Sequence, residues 1–313
     1  MTGADDGRPI LLLGATGQIG SELAHALTPL GPIITPGRDQ LDLAQPEAIS
    51  AVVDRVSPAL LINAAAYTKV DQAEQERSEA MALNADAPGL LAQLAGRLAI
   101  PLVHYSTDYV FGGQEERNPD GELRAYVETD PVGPLNVYGH SKRMGEDAIR
   151  GSGCAHLIFR TSWIYANRGR NFLLTMRRLA SERDEIAVVA DQFGCPTWAR
   201  SVAEATVMIL SKAWRPDGTL SSDAVSGTYH LTCQGAASWF DFAKEIFSIL
   251  SQSGYRAPRL KPITTNDYPT PAARPAYSVL DCSKARDVFG ISLPDWREAL
   301  ASCLGDEIRA HQD

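Results

Sequence analysis

Two groups of side chains in this sequence have the right types and spacing to reduce a ketone. Tyr138 and Lys142 are four residues apart in Tyr138-Gly139-His140-Ser141-Lys142, and Ser106-Thr107-Asp108-Tyr109 precedes them by about thirty residues. On a helix, a spacing of four puts both side chains on one face, one turn apart. An ammonium beside a phenol favours the phenolate, which predicts a lowered pKa for Tyr138. Such a phenol hands a proton to a carbonyl oxygen while a hydride reaches the carbon. Chance alone supplies such a spacing, so the rest of the chain has to provide a cofactor, a second hydroxyl and a pocket.

A cofactor site is written near the start. Ile10-Leu11-Leu12-Leu13 is short, apolar and ended by glycine, which predicts a buried parallel strand. Gly14-Ala15-Thr16-Gly17-Gln18-Ile19-Gly20 follows, and then an apolar-periodic helix. Glycines at such a turn let the backbone approach a pyrophosphate, and the helix start offers free N–H groups to it. The same turn also occurs without a ligand. A second strand, Pro32 to Pro36, ends in Gly37-Arg38. An Arg here accommodates a 2′-phosphate and so points to NADPH rather than NADH, with Asp42 and Leu43 bordering the adenine. The alternative is that Arg38 is a solvated surface charge.

The elements alternate. A helix over Ala48–Val56, a strand Ala59–Asn63, helical periodicity over Asp71–Leu98 broken at Pro88-Gly89, and a strand Pro101–Ser106 come next. This predicts an α/β fold with a doubly wound parallel sheet, Rossmann-like, with Thr107 and Asp108 delivered at a strand's carboxyl end. The small residues Asn63-Ala64-Ala65-Ala66 open a loop where a dinucleotide can lie close to the backbone. From Tyr109 to Leu135 the chain is rich in Gly, Pro and acidic residues, as expected of a lid or substrate rim. A helix over Asn136–Arg150 carries Tyr138 and Lys142, and a strand over Ala155–Trp163 follows it. Beyond about residue 165 the alternation loosens. Residues 1–165 are expected to form the NADP(H)-binding domain, and 166–313 a smaller C-terminal α/β substrate lobe with segments returning to the first. Ser238 is expected to cap a helix through Leu250, with Trp239, Phe240, Phe242 and Phe247 as core.

Composition excludes several classes. A net charge of −9 argues against non-specific nucleic-acid or anionic-membrane binding. Five scattered Cys without a C-x-x-C pair suggest reduced thiols rather than a disulfide framework. No apolar run is long enough to span a bilayer, and the polar, acidic start is no signal peptide. A cytoplasmic location is expected. Without a His/Cys/carboxylate cluster at ligand spacing, no catalytic metal is expected.

The blocks together carry a resemblance. Gly14-x-x-Gly17-x-x-Gly20, Asn63-Ala64-Ala65-Ala66, Ser106-Thr107-Asp108-Tyr109-Val110-Phe111 and Tyr138-x-x-x-Lys142 are similar to extended short-chain dehydrogenase/reductases. Pro134 to Gly139, Phe159 to Tyr165, Asp191 to Thr197, Ala273-Arg274-Pro275 and Leu293 to Trp296 resemble, more narrowly, the dTDP-4-dehydrorhamnose reductase family. The resemblance implies NADPH-dependent reduction of dTDP-4-dehydro-β-L-rhamnose to dTDP-L-rhamnose, with NADH as a second cofactor. It makes Tyr138 the acid, Lys142 the residue that holds the nicotinamide ribose, and Thr107 a hydrogen-bond partner of the C4 oxygen. Asp108 and Trp163 become sugar contacts. Gly17, Gln18, Ile19, Ala66, Tyr67 and Thr68 become cofactor contacts. Gly112 and Tyr67 depart from the commoner Asp and His. A homodimer, and a non-catalytic Mg2+ at a subunit interface, are left open by the same resemblance. Read from the residues alone, Thr107 also fits a backbone cap, Asp108 a turn former, Trp163 a core residue, and Arg274 either an anion ligand or a solvated charge. Two other activities fit the pattern: a 4-ketoreductase for another dTDP-deoxysugar, and a non-catalytic regulatory subunit of the same fold.

Overall fold

Uninterrupted apolar runs bury both faces of a strand, and here they form one parallel sheet. The computed structural model describes residues 7–114, 121, 123–215, 218–221 and 225–310. Its main strands are β1 (Ile10–Leu13), β2 (Ile33–Ile34), β3 (Leu60–Asn63), β4 (Leu102–Thr107), β5 (His156–Thr161) and β6 (Gly227–His230). They are ordered β6-β5-β4-β3-β1-β2, all parallel. The strand order reverses between β1 and β3, and a ligand crevice opens at the carboxyl ends of such a pair.

Alternate residues of the strands feed two cores. Ile10, Leu12, Leu60, Ile62, Val103 and Phe159 pack against the helices Gln18–Ala26 and Ala199–Ala213. Leu11, Leu13, Leu61, Leu102 and Ile158 face the helices Pro46–Val56, Ala87–Leu98 and Val137–Ser152. The second half of the chain supplies β6 to this sheet. Among the described residues it also forms three two-stranded pieces and the helices Phe172–Glu182, Trp239–Gln252 and Trp296–Ala310. Ser238 and Asp241 close a reciprocal capping box on the second of these. Phe242 and Phe247 of the expected stripe are buried, whereas Trp239 and Phe240 are only partly so.

The helical stretch before β4 departs from expectation. It is interrupted at Glu74–Glu76, between Val70–Ala73 and Arg77–Met81, and a π-helical turn spans Ala82–Asp86. Pro88 sits in the first turn of Ala87–Leu98, where its missing N–H costs nothing, so Pro88-Gly89 does not break the helix. The π turn turns Asn84 inward. Its side chain accepts from Tyr67 N at 2.8 Å, donates to Tyr67 O at 3.0 Å and to Ser141 Oγ at 3.0 Å. A buried Asn thereby joins the loop after β3 to the Tyr138 helix.

That helix comes very close to the π turn at Gly145, where an added Cβ would lie 2.1 Å from the Asn84 carbonyl oxygen. Gly145→Ala is therefore expected to cost about 1–3 kcal/mol of stability, read by denaturant unfolding. Gly151→Ala, with no neighbour within 4 Å on the same helix, should gain a few tenths to about 1 kcal/mol. Equal effects at the two positions would show that the close approach is not a constraint.

Candidate active site

The crevice between β1 and β3 is shaped for a backbone-hugging ligand. Gly14 has φ +80, and a Cβ there would lie 2.5 Å from Ala65 N; one on Gly20 would lie 2.1 Å from Gly14 O. Only glycines allow this contact between turn, helix and loop, and the resulting cradle fits a dinucleotide pyrophosphate at the start of the Gln18–Ala26 helix. Gly17 is the helix N-cap, and Ile19 packs on the core. Gln18 reaches across to Ile164 O at 3.4 Å and accepts from Asn171 Nδ2 at 2.8 Å, tying the turn to the second half of the chain.

The other expected cofactor positions are spread along the same edge. Arg38 is exposed in the turn after β2, free to meet a phosphate. Asp42 is exposed and accepts from Ala44 N at 2.9 Å, while Leu43 leans on the core. Ala66 and Thr68 flank Tyr67 in the loop after β3. The Tyr67 hydroxyl donates to Glu76 Oε2 at 2.5 Å, and burial together with that carboxylate pushes it up to about 12. The Tyr67 side chain is thus turned toward Glu76.

Thr107 ends β4, and Asp108 follows in a short 3-10 turn. Asn136 caps the Val137–Ser152 helix through Gly139 N at 2.8 Å, which places Tyr138 in its first turn. Gly139 is needed there because a Cβ would lie 2.2 Å from Tyr109 O. The Tyr109 and Tyr138 rings meet edge to face at 5.8 Å. Lys142, one turn on, is 1% exposed and donates to Tyr105 O at 2.6 Å, with His104 Nε2 at 3.2 Å.

The expected lowering of the Tyr138 phenol is not what the free protein shows. Burial pushes Tyr138 up to about 12, against the Thr107 hydroxyl, and the same burial brings Lys142 down to about 8 despite Glu146. Desolvation penalises both charged forms, and it outweighs the Thr107 hydrogen bond at the phenol and the Glu146 charge at the amine. A phenol at this value is protonated at neutral pH and still a stronger acid than an aliphatic alcohol.

Asp108 is 2% exposed and enclosed by hydroxyls. It accepts from Ser278 Oγ at 2.6 Å, Ser162 Oγ at 2.9 Å and Thr107 Oγ1 at 3.0 Å. Burial raises it to about 6, and the three hydroxyls oppose that rise. Its carboxylate orients Thr107, whose oxygen also accepts from Tyr109 N at 3.2 Å. Trp163, next to Ser162, has φ +46, a strained value for a bulky residue. This kink ends β5 at Thr161, two residues short of the expected strand. The half-buried Trp163 stacks on Trp239 at 3.5 Å, and a Cβ on Gly194 would lie 2.5 Å from its ring. Arg274 is neither solvated nor free: it donates to Asp71 Oδ2 at 2.8 Å, with Nη1 buried and unpartnered.

His104, Asn84 and Ser278 join the site without having stood out in the sequence, and Trp239, expected as core, joins it through Trp163. The 109–135 stretch falls partly outside the described residues. Within them, Phe111 stacks on Tyr126 at 4.2 Å, and Tyr126 pairs with the 279–281 segment. Among the described residues, no group of three or more His, Cys, Asp or Glu is placed to hold a metal ion, so nothing here supports an Mg2+ site. No helix among them is long and apolar enough to cross a membrane.

The model of the RmlD substrate binding domain family matches residues 8–308. The chain belongs to that family. Among its relatives is a dTDP-4-dehydrorhamnose reductase of Burkholderia thailandensis, 46% identical over 95% of this chain and 98% of its own. A probable dTDP-4,6-dihydroxy-2-methyloxan-3-one 4-ketoreductase of Streptomyces antibioticus is 37% identical over 96% of each chain. A crystal structure of dTDP-4-dehydrorhamnose reductase from Bacillus anthracis in complex with NADP is also similar. It superposes with a TM-score of 0.84 and 34% identity, over 96% of this chain and 99% of that one. With that crystal structure the chain shares its fold.

The buried Asp108 carboxyl makes a pH-dependent contribution to stability. Its folded value, about 6, lies above the ordinary 3.8, so its contribution is complete below about pH 4 and is lost as pH rises through about 6. Asp108→Asn, neutral throughout, should therefore gain about 2 kcal/mol on the parent between pH 4.5 and 7.5. A stability difference that stays constant over that range in denaturant melts would refute this.

Proposed function

We propose that the chain is an NADPH-dependent oxidoreductase that reduces dTDP-4-dehydro-β-L-rhamnose to dTDP-L-rhamnose. The observation that carries this reading is the grouping of Tyr138, Thr107 and Lys142 at the β4 edge beside a glycine cradle. The 46% identity to a reductase of that name over nearly the whole chain supports it.

When bound, the nicotinamide supplies the hydride that reaches C4. Tyr138 gives its hydroxyl proton to the C4 oxygen, so the ketone becomes an alcohol and Tyr138 a phenolate until it is reprotonated. Thr107, oriented by Asp108, stands beside Tyr138, where its hydroxyl opposes the burial that raises the phenol. Lys142, folded beneath the helix, holds the nicotinamide ribose and compensates the phenolate. Gly14, Gly17, Gln18, Ile19 and Gly20 line the pyrophosphate, with Ala66, Tyr67 and Thr68 along the opposite wall. Arg38 receives the 2′-phosphate, and Asp42 and Leu43 border the adenine. Asp108 contributes as the carboxylate that orients Thr107, and the Trp163 ring offers an apolar edge to the deoxysugar. Residues 166–313 supply the substrate side.

A second reading, reduction of a different dTDP-4-keto sugar, is favoured by the similarity to the Streptomyces antibioticus protein. The same assay separates the two. With dTDP-4-dehydro-β-L-rhamnose, NADPH consumption followed by absorbance should yield dTDP-L-rhamnose. Turnover confined to another dTDP-4-keto sugar would favour the second reading, and turnover with neither would overturn both. Tyr138→Phe should lower kcat at least ~10²-fold while leaving NADPH affinity in place. Unchanged turnover would mean that another group is the acid. Arg38→Ala should weaken NADPH binding and spare NADH, measured by titration; equal weakening of both would remove the phosphate role.

A further inference from the structure

Trp163 combines two features that local preferences do not supply. Its backbone lies at φ +46, a region that bulky residues rarely occupy. Its indole stacks on Trp239 with 3.5 Å between ring centroids and 4° between planes, an almost full overlap. Aromatic pairs left to themselves prefer an offset or an edge-to-face arrangement, so this overlap is imposed from outside the pair. Two such departures at one residue mark a constraint that the surrounding fold maintains.

The constraint is a slot. A Cβ on Gly194 would lie 2.5 Å from Cε2 of Trp163, 2.6 Å from Nε1 and 2.9 Å from Cζ2. Cε2 is bonded to the other two atoms, and an atom arriving from beyond the rim would come closer to one of them. The Gly194 backbone therefore stands over the ring. Trp239 fills one face, which leaves Gly194 on the other. The two walls are joined, because Gly194 pairs with Ala237 in an antiparallel ladder and Trp239 begins the helix capped by Ser238. Phe172 lies against Trp239 at 4.7 Å. The backbone flanking the indole is held by the segment that supplies Gly194: Cys195 N donates to Ser162 Oγ at 3.2 Å, and Thr197 N to Trp163 O at 3.2 Å.

With both faces covered, the half-buried indole has its rim left for a ligand. A rim makes a narrow contact, and a small tilt of the ring withdraws it. We propose that Trp239 is a positioning residue that, with Gly194, grips the Trp163 indole so that its rim meets the deoxysugar of the bound nucleotide. This rests on the assignment of Trp163 to the sugar. The same grip anchors Ser162, which donates to Asp108 Oδ2 at 2.9 Å. The wall that meets the sugar and the hydroxyls gathered beside Tyr138 thus share one support.

The test titrates the full chain with dTDP and with dTDP-L-rhamnose by calorimetry. Trp239→Ala should weaken dTDP-L-rhamnose about 10-fold while leaving dTDP and NADP+ unchanged. Equal weakening of dTDP, or no weakening of the sugar nucleotide, overturns the proposal. Trp239→Phe, which keeps a flat ring against the indole, should recover most of the loss; equal losses in the two variants overturn the positioning role. Circular dichroism reads the stack itself. The parent should show the exciton couplet of two overlapping indoles, and Trp163→Phe, Trp239→Phe and Trp239→Ala should each lose it with the helical signal kept. A couplet absent from the parent, or surviving in any of the three, overturns the slot. In turnover, Trp239→Ala should raise the sugar-nucleotide KM more than it lowers kcat. An unchanged KM beside an active parent overturns the positioning role and leaves the reductase reading standing. A parent that reduces no dTDP-4-keto sugar overturns that reading, and the titration still decides the slot.

Discussion

The buried pair between Glu146 and Arg160 sets the position of everything at the β4 edge. Arg160 on β5 donates from Nε at 2.9 Å and from Nη2 at 2.7 Å to the two carboxylate oxygens of Glu146, and both residues are almost fully buried. Arg160 holds the Glu146 carboxyl below its ordinary value in spite of that burial. Removing one partner of such a pair generally costs about 3–5 kcal/mol, although an apolar replacement of both can be neutral. Its contribution is therefore to registry more than to net stability. Glu146 lies one helical turn past Lys142 and two past Tyr138, on the same stripe. Pinning Glu146 to the sheet fixes the rotation of the helix, and with it the direction in which the amine and the phenol point.

A helix fixed in rotation still needs a partner group at the right height. Thr107 provides it because β4 and β5 run in register through Thr107 and Thr161, so the strand ends sit level. Asp108 then gathers hydroxyls from three separate parts of the chain: Thr107 beside it, Ser162 after β5, and Ser278 from the C-terminal segment. The kink at Trp163 follows from the same arrangement. The chain has to turn sharply after Ser162 if that hydroxyl is to face Asp108 while the indole stacks on Trp239. Gly194 leaves the space for it.

These two layers differ in how far they could be read from the residues alone. The Tyr138–Lys142 pair, the glycine turn and Thr107 at a strand end are local patterns, in which helix and strand periods place side chains without knowledge of the rest of the fold. Ser278 meets Asp108 across 170 residues, and no local pattern marks one serine among many for that contact. His104 read as an ordinary strand residue because its partners, Asn63 and Lys142, lie on two other elements. A proline usually stops a helix, which puts the expected break at Pro88-Gly89, but a proline in the first turn begins one instead. The direction of the Tyr138 shift lies outside the local pattern for a related reason. Spacing reveals which charges are neighbours, whereas burial, which dominates here, is a property of the folded whole.

Burial also gives the site a common electrostatic character. Lys142 is lowered to about 8, Tyr138 raised to about 12 and Asp108 raised to about 6, each mainly by loss of water. His104 is lowered as well. Every shift favours the neutral form, yet Asp108 at about 6 and Lys142 at about 8 still carry most of their charge at neutral pH. Charge is tolerated only where a fixed partner meets it, as in the Glu146–Arg160 pair. The same low-dielectric surroundings that disfavour charge strengthen each hydrogen bond to the oxygen that becomes negative. The burial of Lys142 and the polar chemistry at Tyr138 are thus parts of one arrangement: dry enough to strengthen each hydrogen bond, rigid enough to hold lone pairs and protons in place.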